Sequence, residues 1–316
     1  MPSAVAHASA GPPQVESTGG LSTIRRMIWR HRTLYFLVLP FAALTIAFGI
    51  WPIALGILVA FTDSYTALSD APVYVGLANF QSVLSDPSFI SSLNGTLLYT
   101  LISVVLNVSV ALGLALILAS EGMQRGSTFF KLAIFLPVVT PEVATFIVWK
   151  WMFSQDLGVV NAVLISLGLP AFPGTTTPVG AFSTLVVVEL WQHVGFYTLV
   201  FLTNLQLLDP SLDEAARMDG ASRWTRIRRI WIPQLRPAIA INSLYALIQF
   251  LKTFTSVIVI TKGGPNYATN FVSYYAYTKF DLAQYGEAMA MATILFIIVL
   301  VLTLALHIYN ERRDYR

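Results

Sequence analysis

The segment Asp209–Pro237 reads DPSLDEAARMDGASRWTRIRRIWIPQLRP, and it interrupts a chain that is otherwise largely apolar. Asp209 is a residue type that caps the start of a helix, and Pro210 is favoured at the first helical position. Gly220 adopts left-handed backbone conformations easily, so it can end that helix and turn the chain. The segment therefore predicts a short helix followed by a tight turn.

A second, amphipathic helix is predicted from Ser222 onward. One of its faces collects large apolar side chains at helical spacing, namely Trp224, Ile227, Ile230 and Trp231. The opposite face carries Arg223, Arg226 and Arg229. Pro233 is expected to end this helix, because proline has no N–H to donate. Such a hairpin is equally suited to a membrane surface and to a partner protein, but its small residues favour docking on a partner.

The composition of the whole chain excludes an ordinary soluble enzyme. The 316 residues are 56% hydrophobic and 11% charged, with a mean hydropathy of +0.68, whereas soluble domains carry about 25% charged residues. The chain has no cysteine, which excludes disulfide bonds and thiolate metal sites. Its four histidines lie too far apart in sequence to suggest a metal site. These features predict an integral membrane protein.

Membrane spans are predicted wherever about 20 mostly apolar residues follow one another. Six stretches meet this requirement: about Leu34–Phe61, Leu97–Ser120, Leu132–Phe153, Gly180–Leu207, Ala238–Ile260 and Ala288–Tyr309. The expected organisation is a disordered, basic tail over residues 1–33, without a cleaved signal peptide, one six-span domain over 34–310, and a short tail over 311–316. The fold class is therefore predicted to be an all-α membrane protein.

The orientation of the spans follows from the distribution of lysine and arginine, which is biased towards cytoplasmic loops. If the N-terminus is inside, most of the 19 basic residues fall on the cytoplasmic side, including six arginines between Arg217 and Arg236. The first outer loop, Thr62–Thr96, has three aspartates and no basic residue. Both termini are therefore predicted to be cytoplasmic.

The Asp209–Pro237 segment resembles the EAA loop of permease subunits in binding-protein-dependent ABC importers. The matching positions are in register: Glu214, Ala215, Ala216, Gly220, Ile230 and Pro233. Ile232 stands where the family pattern has leucine, which preserves the side-chain volume. The resemblance implies that this loop, with Asp219 and Ala221 beside the turn, forms a coupling helix that docks on a cytoplasmic ATPase.

A wider resemblance, to the maltose/glycerol-phosphate/lactose type of carbohydrate permease, covers the chain from about Leu34 to its end. The positions that carry it are Leu136, Pro137, Pro141, Trp151–Phe153, Gly158, Asn161, Trp191, Thr261–Pro265, Thr269, Tyr275–Tyr277 and Gly286. It implies the type I importer fold, a second homologous permease subunit, two ATPase subunits that bind ATP and Mg, and an extracytoplasmic solute-binding protein. No cofactor or metal is expected on this chain.

Polar residues within the predicted spans are costly in a bilayer and therefore need an explanation. They fall on aligned faces of three spans: Glu142 in the third, Glu189, Gln192, His193 and Phe196 in the fourth, and Asn242, Tyr245, Gln249, Lys252 and Ser256 in the fifth. Together they could line one aqueous cavity. Alternatively, they hold helices together or neutralise one another, for example Lys252 with Glu189.

The carbohydrate-permease resemblance implies a substrate path through these polar residues. Seven positions fall where sugar-contacting residues lie in maltose-type permeases, namely Val138, Glu142, Gln192, His193, Phe196, Phe250 and Thr253. Glu189, Gln249 and Lys252 complete the predicted path. The predicted function is the non-catalytic permease subunit of an ATP-driven sugar importer in a bacterial cytoplasmic membrane, with no nucleic-acid partner.

Three alternative functions are distinguishable from sugar import. The same importer class could carry glycerol 3-phosphate or another phosphorylated polyol. Binding of a phosphate group favours an arginine in the substrate path, and the predicted spans contain no arginine. A proton-coupled secondary transporter would use Glu142, Glu189 or His193, but it predicts paired broken helices in two halves. An enzyme is disfavoured because the chain has neither a phosphate-binding loop nor an H-E-x-x-H motif.

Overall fold

The computed structural model describes residues 32–63, 73–119, 127–156 and 158–314. Most of the predicted N-terminal tail and the last two residues of the chain lie outside these ranges. The last helix continues to Asp314, past the predicted end of the domain at residue 310. The chain forms two compact units, Met1–Leu55 and Gly56–Arg316.

Helices dominate both units. In chain order they are α1 (Arg32–Thr45), α2 (Trp51–Val59), α3 (Ala78–Ser85), α4 (Pro87–Leu118), α5 (Ser127–Val139), α6 (Glu142–Met152), α7 (Val159–Ser166), α8 (Pro178–Gln206), α9 (Pro210–Met218), α10 (Arg223–Arg226), α11 (Ile232–Gln234), α12 (Arg236–Leu251), α13 (Val272–Asp281) and α14 (Tyr285–Asp314). Within the described residues, three π-helical turns, Ile46–Ile50, Ile227–Trp231 and Val257–Thr261, and one 3₁₀ turn, Gly174–Thr176, connect some of them.

Four of the six predicted spans are continuous apolar helices long enough to cross a membrane. They are Phe36–Val59, Pro87–Leu118, Pro178–Gln206 and Tyr285–Asn310. The second begins ten residues earlier than the apolar run suggests, because Asp86 caps its first turn by accepting a hydrogen bond from the Ser88 N–H at 2.9 Å. The helical membrane fold is confirmed by these spans.

The third predicted span, Leu132–Phe153, is not one straight helix, which corrects the sequence prediction. Its two halves, Thr128–Val139 and Glu142–Met152, meet at an angle of 100°. Pro141 explains the break, because proline disfavours a helical conformation at the residue before it and cannot donate to the preceding turn. The two helices therefore form a broken span or a re-entrant loop and not one straight transmembrane helix.

The fifth predicted span, Ala238–Ile260, is also interrupted. Helix α12 has only 16 residues and ends at Leu251, fewer than the ~20 needed to cross a bilayer. Lys252 caps it, the Thr253 N–H turns back to the Phe250 carbonyl at 3.3 Å, and helical structure resumes in the π turn Val257–Thr261. Apolar composition is continuous here, so hydropathy alone could not show the interruption.

Helix α8 is the centre of the Gly56–Arg316 unit. It contacts α4, α5, α6 and α12, and 56% of its most apolar window is buried, against 17% for α14. The core around it contains several aromatic rings without solvent exposure, namely Tyr99, Phe146, Tyr197, Phe201 and Phe250. By contrast, α14 leaves large apolar side chains such as Phe296 and Leu300 about half exposed, as expected for a helix that faces lipid.

A small β-ladder departs from the all-α prediction within the described residues. Thr62–Asp63 (β1) pairs antiparallel with Val73–Tyr74 (β2). The Asn79 amide fixes this region to the end of α2 by donating to the carbonyls of Ala60 and Thr62, at 2.9 and 3.0 Å. Gly286 allows the close approach, because a Cβ there would lie 2.6 Å from both the Asn79 amide and the Thr62 carbonyl.

Candidate functional site

A cluster of ionisable side chains lies between α6, α8 and the end of α12. On α8, the His193 Nδ1 atom lies 3.1 Å from the Glu189 Oε2 atom one turn earlier. Its Nε2 atom faces the Glu142 Oε1 atom, at 3.8 Å. We refer to Glu142, Glu189 and His193 as the acid–histidine cluster.

Two further side chains complete the surroundings of this cluster. Ser256 donates its hydroxyl to the Glu189 Oε1 atom, and the Gln249 amide lies 3.5 Å from the His193 Nε2 atom. The Glu189 Oε2 atom faces His193 Nδ1, whereas His193 Nε2 has the Gln249 amide nitrogen, a donor, at 3.5 Å and the Glu142 Oε1 atom at 3.8 Å. Nε2 can therefore accept from Gln249 or donate to Glu142, depending on which imidazole form is present.

The two carboxylates of the cluster differ in accessibility. The Glu189 side chain is 7% exposed, and both of its oxygens are engaged. The Glu142 side chain is 44% exposed, because it lies in the first turn of α6, directly after the break at Pro141. Glu142 can therefore reach a ligand in solvent, whereas Glu189 holds the helices in place.

Gln192 stabilises the broken third span. Its amide donates to the Pro137 carbonyl at 2.7 Å. In a regular helix that carbonyl would accept from residue 141, which is a proline without an N–H. The Thr140 hydroxyl donates to the same carbonyl at 2.6 Å. Gln192 is 2% exposed, and its Oε1 atom has no hydrogen-bond partner among the described residues.

The remaining residues of the predicted path differ in burial. Phe250 is fully buried between the rings of Tyr99 and His193, with centroids 6.3 and 6.1 Å away, and Thr253 is 7% exposed. Phe196 packs on the Tyr245 ring, with centroids 4.8 Å apart. Val138 is half-buried and Lys252 is exposed; the described contacts of Glu189 are with His193 and Ser256, not with Lys252.

Lys150 is a further charged residue of this region that the sequence analysis did not assign to the path. Its ammonium group donates to the Val259 carbonyl at 3.1 Å, within the π turn that follows α12. A π turn leaves carbonyls displaced from the regular i→i+4 pattern, so a cation can bind one there. Lys150 and Val259 are 109 positions apart in the sequence, so no local sequence pattern could predict this contact.

The first part of the Asp209–Pro237 segment has the predicted structure. Helix α9 begins at Pro210, and the Asp209 carboxylate caps it by accepting from the Ser211 N–H at 2.9 Å. Gly220 has a φ of +75°, the left-handed conformation expected at the turn. Ser222 caps the next helix by accepting from the Thr225 N–H at 3.3 Å.

Pro233 does not end the second helix, contrary to the sequence prediction. The chain continues from α10 through the π turn Ile227–Trp231 into α11. The wider π turn accommodates a proline, because it shifts the preceding carbonyls away from their α-helical positions. This helix ends at Gln234, one residue after Pro233, and a turn at Leu235, whose N–H donates to the Trp231 carbonyl at 2.9 Å, leads into α12.

Asp213 is a central residue of the segment that the sequence analysis missed. One of its carboxylate oxygens accepts from Arg226 and, at 3.2 Å, from Arg217. The other accepts from the Trp231 indole N–H at 3.0 Å. Arg226, predicted to lie on an arginine face, is instead buried. The i, i+4 spacing to Arg217 was visible in the sequence, but the contacts across the turn were not.

The positions predicted to couple to an ATPase are largely exposed. Glu214, Ala215, Asp219 and Gly220 are exposed, and Ala216, Ala221, Ile230 and Pro233 are half-buried. Met218 is 88% and Trp224 is 67% exposed. Beside them is a cavity of ~350 Å³ lined by both arms of the segment, including Glu214, Arg217 and Trp231. The segment thus presents a polar, small-residue surface with protruding apolar side chains.

Known proteins are similar to this chain in sequence. Trehalose/maltose transport system permease protein MalF of Thermococcus litoralis is 31% identical over 281 residues, which cover 89% of this chain and 94% of that protein. sn-Glycerol-3-phosphate transport system permease protein UgpA of Agrobacterium fabrum is 32% identical over 289 residues, covering 88% and 94%.

A solved structure has the same architecture. It is a chain of a bacterial alginate ABC transporter in complex with an alginate pentasaccharide-bound periplasmic protein, with a TM-score of 0.81, 25% identity and coverage of 91% of this chain and 96% of that chain. The predicted ABC importer permease fold is confirmed by this match. Residues 111–313 match the model of the family described as binding-protein-dependent transport system inner membrane component. The chain belongs to this family of inner-membrane permease components.

Proposed function

We propose that this chain forms part of the path by which a neutral sugar crosses the cytoplasmic membrane, driven by ATP hydrolysed on separate subunits. The observation that carries the proposal is the acid–histidine cluster, which places an accessible carboxylate at a helix break inside an apolar bundle. Broken helices at mid-membrane are typical where backbone and side chains line a cavity. We assign no catalytic role, cofactor or metal to this chain.

The exposed Glu142 carboxylate favours a sugar without an anionic group. Carboxylate, imidazole and amide groups bind sugar hydroxyls, and the Phe196 and Tyr245 rings can pack on the C–H faces of a sugar ring. A phosphate or carboxylate would lie near the Glu142 oxygens and be repelled at short range. Among the relatives, MalF is named for trehalose and maltose.

A phosphorylated polyol is the second candidate substrate, because UgpA is named for sn-glycerol 3-phosphate and is 32% identical. For this substrate the cation would come from Lys252, which is exposed at the end of α12, rather than from the acid–histidine cluster. The two candidate substrates would therefore bind to different charged residues of the same region. A competition experiment between a sugar and sn-glycerol 3-phosphate distinguishes the two candidates.

For coupling, we propose that α9 docks on a P-loop ATPase through the exposed surface around Glu214 and Gly220. Two ATPase subunits would bind ATP and Mg, a second homologous permease would complete the membrane domain, and a solute-binding protein would deliver the sugar from outside. The arginine-rich Asp209–Pro237 segment and both termini would then be cytoplasmic, in agreement with the bias of basic residues.

The test is transport by the assembled complex in proteoliposomes. Labelled trehalose and maltose are expected to enter only with internal ATP, unaffected by an uncoupler, and without competition from sn-glycerol 3-phosphate. Inhibition by sn-glycerol 3-phosphate would favour the second candidate. Uptake driven by a proton gradient without ATP would contradict the importer and support a secondary transporter.

Gly220→Asp tests the docking surface. We expect this chain to insert normally and lose sugar uptake, because the charge is placed at the turn that approaches the ATPase. Gly220→Asn is the matched control, since asparagine is similar in size, tolerates left-handed backbone and adds no charge. Uptake by Gly220→Asp at the wild-type rate would contradict the docking role.

A further inference from the structure

Helix α9 is attached to the rest of the protein by polar bonds rather than by apolar packing. None of its residues, Pro210–Met218, is buried. The chain enters it through the turn at Leu208–Asp209 and leaves it through the left-handed Gly220. A short helix between two turns, with no buried face, would be free to pivot unless something else restrained it.

Asp213 provides that restraint. Its side chain bonds across the turn, to Arg226 on α10 and to the Trp231 indole in the π turn. The Asp213 side chain is 19% exposed and the Arg226 side chain is 10% exposed. Hydrogen bonds between charged groups that are shielded from water are among the strongest in proteins. Removing the carboxylate would leave the Arg226 guanidinium buried and unpaired.

The partners of Asp213 belong to helical segments that lead, through a turn at Leu235, to α12 and the acid–histidine cluster. From Trp231 the backbone continues through α11 into α12, with the Leu235 N–H bonded to the Trp231 carbonyl and the Ile239 N–H bonded to the Leu235 carbonyl, both at 2.9 Å. Near its end, α12 carries Gln249, which lies against His193. A displacement of α9 can therefore be transmitted to the cluster along the backbone of these segments. The hydrogen bonds of Asp213 to Arg226 and Trp231 are the contacts that join α9 to them.

We infer that Asp213 is a positioning residue that makes α9 and the α10–α12 segments move as one body, so that motion of a docked ATPase reaches the acid–histidine cluster. The inference rests on the proposed function in assuming an ATPase at α9. It differs from the docking role of Glu214 and Gly220, because Asp213 faces the protein and not the partner. Loss of Asp213 should leave docking intact and break the transmission.

The test is a distance measurement by pulsed electron paramagnetic resonance on the assembled complex. Because the chain has no cysteine, Leu212→Cys on α9 and Ile241→Cys on α12 give two unique nitroxide sites in it, and both positions are exposed. With Asp213 in place, we expect one narrow distance distribution, the same without nucleotide and after trapping with ATP and vanadate. With Asp213→Asn, we expect the distribution to become at least about twice as wide and to shift on trapping.

Controls separate this role from a general folding defect. Asp281→Asn removes an exposed carboxylate from the end of α13 and should leave the distribution unchanged, and Asp213→Glu should restore the narrow distribution. The ATPase should still co-purify with the Asp213→Asn chain. The inference is wrong if Asp213→Asn and Asp213→Ala both keep the wild-type distribution, if the wild-type distance shifts on trapping, or if Asp213→Asn loses the ATPase.

The outcome for the proposed function is read independently. If no ATPase co-purifies with the wild-type chain, the proposed function fails. The distances between the two labels in the isolated chain still show whether Asp213 holds α9 to α12. If the ATPase is recovered and Asp213→Asn behaves as wild type, the proposed function stands and the inference about Asp213 fails.

Discussion

The carboxylates of Glu189 and Glu142 lie on opposite sides of one histidine but have different roles. Glu189 is buried with a bond to each oxygen, whereas the Glu142 side chain is nearly half exposed. Breaking a buried ion pair costs about 3–5 kcal/mol, because it leaves the other charge without a partner. An accessible carboxylate costs far less to remove.

Alanine substitution of these two glutamates should therefore separate stability from transport. Glu189→Ala is expected to lower the free energy of unfolding by about 3 kcal/mol. Glu142→Ala should change it by less than about 1 kcal/mol, yet reduce sugar uptake roughly tenfold, as expected for losing one bond to substrate of ~1.4 kcal/mol. Unfolding in mixed detergent micelles and uptake in proteoliposomes measure the two effects. A greater loss of stability for Glu142→Ala would reverse these assignments.

Asp86 and Tyr275 form a second polar contact, at the end of α4 outside the membrane spans. The Tyr275 hydroxyl donates to Asp86 at 2.6 Å. Burial acts to raise the pKa of Asp86, but the bonds from Tyr275 and from the Ser88 N–H hold that pKa below its usual value. Burial, with the nearby Asp86 carboxylate, raises the pKa of the Tyr275 hydroxyl above its usual value.

This contact predicts a pH-dependent effect of Tyr275→Phe. A lowered carboxyl pKa contributes stability above about pH 4, the pKa in the unfolded chain, and this contribution is lost as the pH falls through the lower folded value. The melting temperature of Tyr275→Phe should therefore lie below that of wild type by a constant difference between pH 5 and 8. The difference should narrow towards pH 3. A difference that widens on acidification would contradict the contact.

At the residue scale, sequence reasoning placed Glu142, His193 and Gln249 on facing spans, and the structure brings them together, but it did not identify other bonds between helices. The i, i+4 spacing placed Glu189 and His193 together, and the structure shows them 3.1 Å apart. The bond of Gln192 to the Pro137 carbonyl and the contacts of Asp213 across the Gly220 turn depend on how helices pack. No periodicity within a single segment contains that information.

Among the helices, the packing of α5 against α8 depends on one small residue. A Cβ at Gly195 would lie 2.2 Å from the Ile134 carbonyl oxygen, which is backbone and cannot turn aside. By contrast, a Cβ at Gly113 on α4 would meet nothing within 4 Å. The same substitution at these two helical glycines therefore has opposite expected effects.

Gly195→Ala should lower the free energy of unfolding by about 1–3 kcal/mol, the usual cost of overpacking. Gly113→Ala should leave it unchanged or raise it by up to about 1 kcal/mol, because alanine favours helix over glycine. Detergent unfolding of both variants, monitored by circular dichroism, provides the comparison. Equal stability of the two variants would show that α5 and α8 do not approach closely at Gly195.

The positions of the helices were predictable wherever an apolar run was uninterrupted. The two incorrect predictions, at Leu132–Phe153 and Ala238–Ile260, share one cause: hydropathy measures composition and does not detect a break. Pro141 was a visible signal for the first break. The π turns Ile227–Trp231, before Pro233, and Val257–Thr261, after the break at Leu251, are not indicated by sequence patterns.

On the scale of the whole molecule, long uninterrupted helices are combined with two broken elements. Four helices of the described residues are uninterrupted, and within the Gly56–Arg316 unit the polar cluster lies where the bent α5–α6 pair and the interrupted α12 segment meet α8. The Asp209–Pro237 segment is at the other end of α12, outside the apolar windows. The Asp209–Pro237 segment and the acid–histidine cluster are thus connected through α11, the turn at Leu235 and α12.

The most direct test of that account is photo-crosslinking from single cysteines in the assembled complex. Met218→Cys on α9 and Tyr74→Cys on β2 replace side chains that are 88% and 74% exposed. With a benzophenone label, Met218→Cys should crosslink to a P-loop ATPase, and Tyr74→Cys should crosslink to the solute-binding protein and not to the ATPase. An ATPase adduct at Tyr74→Cys, or none at Met218→Cys, would contradict the assignment of the coupling surface.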